Sequence, residues 1–110
     1  MGLTIGEAEA AYSEHLAQQD LKPGTVDVYR RDLAKFVEFF GKEKDVAAIT
    51  VLRINNYVKS NRLLKDDRGK VLAKETVNRS KRVCRGFLEW LVSAGHAPEL
   101  PAGGINAFKC

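Results

Sequence analysis

Cysteine is scarce in this chain: of its 110 residues only Cys84 and Cys110 are cysteine. They make no metal spacing and no disulfide framework, so both are expected as free thiols. Histidine is as sparse. His15 and His96 lie far apart, and neither stands beside a cysteine or carboxylate at a ligand spacing such as i, i+4, which argues against a metal centre or a histidine base. No apolar run approaches the roughly 20 residues of a membrane span, and the first residues lack the basic and apolar regions of a signal peptide. A cytoplasmic protein with no membrane association is expected.

Catalytic motifs are missing too. There is no P-loop and no GxGxxG, and Gly103 and Gly104 read as flexible tail. Tyr12, Tyr29 and Tyr57 each fall in an apolar stripe, which makes them core residues with hydrogen-bonded hydroxyls rather than nucleophiles. Asp66 and Asp67 are neighbours in a turn and read as turn chemistry rather than a carboxylate pair. Nothing supports catalysis by this chain alone, and no cofactor is implied.

What is present is enough apolar material for one core, 45% of residues, together with 29% charged residues and a net charge of +4. That composition describes a single domain too small for a two-domain enzyme. The charge is uneven. Glu7, Glu9, Glu14 and Asp20 are the only Asp, Glu, Lys or Arg residues up to position 20, all acidic. From Arg62 to Arg85, nine basic residues face three acidic ones, a local balance of +6. This is an electropositive surface with a location.

Helical periodicity runs through most of the chain. Thr4 can cap a first helix reaching Gln19, with Glu7 completing a capping box and Ile5, Ala8, Tyr12 and Leu16 facing inward. Pro23 suits the first turn of a second helix that runs to Gly41 and buries Val26, Tyr29, Leu33, Phe36, Val37 and Phe40. Thr50 looks like the cap of a third, Val51 to about Leu64, burying Leu52 or Val51, Ile54, Tyr57, Val58 and Leu64. The DDRGK turn follows, Gly69 being able to take positive φ, with a short hairpin between Leu63 and Leu72 left open. The fourth helix lies between Lys74 and Gly95, with Thr76 able to cap it unless Lys74 or Glu75 is already helical. Gly95 followed by Pro98 stops it. Its inner face holds Val77, Ser80, Val83, Cys84, Phe87, Leu88, Trp90, Leu91 and Ala94. The opposite face holds Lys74, Asn78, Lys81, Arg82, Arg85 and Glu89. The expected architecture is all-α, a compact bundle of four helices over residues 1–102, with 103–110 the start of a linker or a tail.

A stripe of cations is most simply a solvated flank. Here the bases are largely arginines, suited to forked contact with phosphate and guanine edges, and polar Asn78 sits among them. Nucleic-acid binding is therefore the favoured reading. The competing one is a helical protein-interaction domain that self-associates, the acidic first helix of one copy meeting the basic fourth helix of another.

Two motifs carry a resemblance. Thr25, Tyr29, Leu33 and Phe36 stand as T-x-x-x-Y-x-x-x-L-x-x-F, and Thr76, Arg79, Arg85, Phe87, Trp90 and Gly95 as T-x-x-R-x-x-x-x-x-R-x-F-x-x-W-x-x-x-x-G. Together, in this order, they resemble the N-terminal core-binding, SAM-like domain of tyrosine recombinases and phage integrases over about Leu3 to Pro101. The chain departs from that pattern in its longer link from Lys65 to Ala73 and in the context of Pro98 and Pro101. The resemblance implies a non-catalytic module that grips double-stranded DNA at a recombination core site. Its implied partners are a C-terminal catalytic domain, which would carry the tyrosine nucleophile, and neighbouring protomers on the DNA. It puts the second and fourth helices on DNA, and the candidate contacts are Lys22, Thr25, Arg30, Arg31 and Lys35 from one and Lys74, Thr76, Asn78, Arg79, Lys81, Arg82 and Arg85 from the other. Lysines would set register on phosphates, while Asn78 and one or two arginines could read base edges. Arg79 lies near the core boundary and could instead pair with a carboxylate.

Overall fold

A computed structural model of the chain describes residues 3–66, 68–96 and 108. Among them the order of elements is α1 (Ile5–Ala17), α2 (Pro23–Phe40), a 3₁₀ turn (Val46–Ala48), α3 (Val51–Lys59), α4 (Asn61–Leu64) and α5 (Lys74–Ser93). The architecture is all-α, as expected.

Local chemistry sets most of the boundaries. Thr4 and Glu7 form the complete capping box, each side chain accepting from the other's backbone N–H at 3.1 and 3.0 Å. Hydrogen bonding from the Thr4 backbone N–H first, and from the Thr4 side chain second, holds the Glu7 carboxyl below its ordinary pKa. Pro23 opens α2, where a missing N–H costs nothing. Gly95, at φ +80°, closes α5: its N–H reaches the Val92 carbonyl and that of His96 the Leu91 carbonyl, a Schellman arrangement.

Several expectations need correction. The third helix is not continuous: Ser60 adopts an extended backbone (ψ 154°) and its hydroxyl donates to the Tyr57 carbonyl at 2.7 Å, which divides α3 from α4. Leu52 is exposed, while Leu63 rather than Leu64 is fully buried. Ala73, not Thr76, occupies the cap position of α5, and Thr76 lies inside its first turn. Ala94 is exposed, and Val77 and Trp90 are only partly buried. The DDRGK link does fold back on itself. Lys65 and Val71 make an antiparallel bridge, Gly69 takes φ +82°, and one Asp66 carboxylate oxygen accepts from the N–H groups of Arg68 and Lys70. The readings at Asp67, Pro98, Pro101, Gly103, Gly104 and Cys110, and the boundary at 102, lie outside the described residues.

The core is built around α2, which packs most extensively against α5 and α1. Leu33, Phe36, Val37 and Phe40 of α2 meet Phe87, Leu88 and Leu91 of α5, Ile5 and Ala8 of α1, and Ile54 and Tyr57 of α3. Phe36 is the hub of an aromatic cluster, its ring centroid 4.4 Å from Phe40, 5.5 Å from Tyr57 and 6.0 Å from Phe87. Phe108 joins this cluster, fully buried, 5.9 Å from Phe36 and 6.3 Å from Tyr57. At the α1–α5 seam, Trp90 lies 5.4 Å from Tyr12, 5.9 Å from His15 and 5.2 Å from His96. Tyr12 and Tyr57 are buried as expected, but among the described residues neither the Tyr57 hydroxyl nor that of Ser80 has a hydrogen bond of good geometry.

Candidate nucleic-acid interface

The first turn of α2 and the outer face of α5 converge on an open groove of about 630 Å³, lined by Lys22, Gly24, Thr25, Val28, Tyr29, Arg79 and Arg82. Three features of the sequence produce it. Lys22 precedes α2 without a side-chain cap, so the positive end of the helix dipole meets solvent there. At Gly24 the groove is open to solvent, since even an added Cβ would meet nothing within 4 Å. On α5, Arg79 and Arg82 are three residues apart and share a face.

Arg79 is the anchored member. Its Nε donates to Asp32 Oδ2 at 2.9 Å and its Nη2 to Asp32 Oδ1 at 3.3 Å, a two-point pair from α5 to α2. The Asp32 side chain is 3% exposed and that of Arg79 37%, so the pair sits at the floor of the groove with only its cationic half open to solvent. The Asp32 hydrogen bond raises the guanidinium pKa above its ordinary value, so Arg79 is permanently charged.

The groove gathers four of the candidate residues: Lys22, Thr25, Arg79 and Arg82. Lys35 lines a separate hollow of about 380 Å³ with Asn61, Arg62, Lys65 and Asp66. In that region Arg62 is paired with Glu38. Arg30, Arg31 and Lys74 are exposed, and Thr76, Asn78 and Lys81 are half-buried, none of them lining the groove. Arg85 approaches Glu89 one turn on at 3.6 Å. Sequence reasoning missed Tyr29 as a groove residue, having placed it in the core, and missed Asp32 altogether. The signal for Asp32 was its position: three residues after Tyr29 and four before Phe36, a carboxylate stands in the buried stripe of α2.

Among the described residues no group of three or more His, Cys, Asp or Glu side chains is placed to hold a metal ion, and no helix is long and apolar enough to cross a membrane.

The class this geometry defines is a small all-α domain with an arginine-floored groove between two helices. Residues 10–95 match the family described as phage integrase, N-terminal SAM-like domain, and the chain belongs to that family. Among curated proteins it is similar to tyrosine recombinase XerC of Xylella fastidiosa (strain M23), 28% identical over 94 residues that cover 84% of this chain and 30% of the relative. It is also similar to tyrosine recombinase XerC of Xanthomonas campestris pv. campestris (strain B100), 23% identical over 108 residues that cover 96% of this chain and 32% of the relative. The chain thus spans about a third of the length of these relatives. No solved structure gives a significant match.

Proposed function

We propose that this chain is the DNA-gripping, non-catalytic part of a site-specific tyrosine recombinase, holding duplex DNA at the recombination core site for a catalytic domain that acts on it. The observation that carries the reading is the groove, in which cations of two helices surround an uncapped helix start beside a permanently charged arginine. Backbone phosphates suit Lys22, Arg82 and the first turn of α2. In this reading Arg30, Arg31, Lys35, Lys74, Lys81 and Arg85, with Thr76 and Asn78, add contacts outside the groove, Lys35 from its separate hollow.

An NMR titration of the labelled domain with a short duplex tests this directly. Shifts concentrated on 22–35 and 74–85, fading as salt rises, are the expected result. With about five phosphates engaged, the log of affinity falls against log salt with a slope of about −4 to −5. Arg82→Glu leaves the fold intact and weakens binding. A flat salt response, or no shifts at low salt with peaks that broaden as protein concentration rises, favours the self-associating interaction domain instead.

A further inference from the structure

The way Asp32 holds Arg79 says more than that the two are paired. A guanidinium has two edges on which a pair of N–H groups points the same way, one formed by Nε and Nη2 and the other by Nη1 and Nη2. Asp32 occupies the first, at 2.9 and 3.3 Å. The second edge is left with one N–H on each terminal nitrogen, on a side chain that lines the groove and keeps 37% of its surface exposed. An arginine free to rotate would have to be ordered on binding; this one is already held at a carboxylate that is almost wholly buried.

We propose that Asp32 is a positioning residue for sequence recognition, fixing Arg79 so that its Nη1/Nη2 edge donates two parallel hydrogen bonds to the O6 and N7 of a guanine in the major groove. The inference rests on the DNA-binding reading above and adds to it a base, a residue and a device. Asp32 touches no DNA in this scheme and acts only through Arg79. Guanine and phosphate both offer paired acceptors to such a fork, and they separate by consequence: a guanine contact discriminates between sequences, whereas a phosphate contact strengthens binding to all of them.

The test begins by selecting duplexes from a randomised pool with the wild-type chain at low salt, then measuring affinity for a selected and a scrambled duplex. Arg79→Lys keeps the charge and removes the fork. It is expected to weaken binding to the selected duplex on the order of 10- to 100-fold more than binding to the scrambled one. Replacing one guanine of the selected duplex by 7-deazaguanine should weaken the wild type and have no further effect on Arg79→Lys. Asp32→Asn should reduce the same preference while leaving scrambled-duplex binding equal or tighter, because a negative charge is lost. A merely structural role for Asp32 would lower both affinities together with the unfolding temperature, and that result overturns the proposal. So does equal weakening of both duplexes by Arg79→Lys, which would assign the fork to phosphate, and so does a wild type that binds duplexes without selecting among them. A wild type that binds no duplex at all overturns the DNA-binding reading, and this inference falls with it.

Discussion

Removing the Arg79 side chain beyond Cβ would leave the Asp32 carboxylate buried with its charged partner gone. The expected cost of Arg79→Ala is about 1–3 kcal/mol, the desolvation penalty of an orphaned acceptor, whereas Arg82→Ala, at an exposed position, stays within about 0.5 kcal/mol. Chemical denaturation of the two variants side by side checks the contrast. Cys84 makes a second test at this scale. Burial, and to a lesser degree the nearby Asp32 charge, pushes its thiol pKa up, so little reactive thiolate forms. Iodoacetamide at pH 8 should leave Cys84 unmodified in the native chain and alkylate it once denaturant is added, as peptide mass mapping would show. Side-chain roles were partly legible in advance. The 3.6-residue period placed Cys84 inside and left Arg79 at the core boundary, but no period says which carboxylate will lie opposite an arginine 47 residues away. That follows from the crossing of α2 and α5.

At the scale of single elements, the start of α1 ties stability to pH. Glu7 has its pKa lowered by its hydrogen bonds at the helix cap, so its contribution is fully present above the unfolded-state value and is lost as pH falls through the depressed folded-state value. Thr4→Ala removes the reciprocal bond and should cost about 0.5–2 kcal/mol at neutral pH. The Thr4 side chain's share of the Glu7 shift is lost with it, so that part of the gap should close in acid as Glu7 protonates while the rest persists, which urea midpoints at several pH values would reveal. Helix ends with side-chain or backbone signals were readable beforehand: Thr4, Pro23, Thr50 and Gly95 each stand where expected. The break at Ser60 was not. Its apolar spacing carries straight through from Ile54 to Leu64, and only the turn of the Ser60 hydroxyl onto the Tyr57 carbonyl marks the place where the chain changes direction.

Across the whole molecule, Phe108 connects parts of the chain that composition assigned to different roles. Glycine stands at positions 103 and 104 and alanine just before Phe108, which is why 103–110 reads as linker, yet its ring lies in the core beside Phe36 and Tyr57. Phe108→Ala should therefore behave as a core truncation and cost about 3–5 kcal/mol. Thermal unfolding followed by circular dichroism is the check, and a loss under about 1 kcal/mol would mean the ring contributes little to the core. The groove was legible as a charged face of one helix but not as a groove, because its other wall, the start of α2, carries a single lysine, to which the positive end of the helix dipole adds.

Trp90 is the only tryptophan in the chain and sits at the seam of α1 and α5, in ring contact with Tyr12, His15 and His96. Along α5 it lies eight residues beyond Arg82, roughly 12 Å at a rise of 1.5 Å per residue. The protein therefore carries its own optical probe, placed where it senses helix docking and set back from the groove. Indole emission can follow unfolding of any groove variant without a label, so that loss of grip and loss of structure are read from one sample as two separate signals.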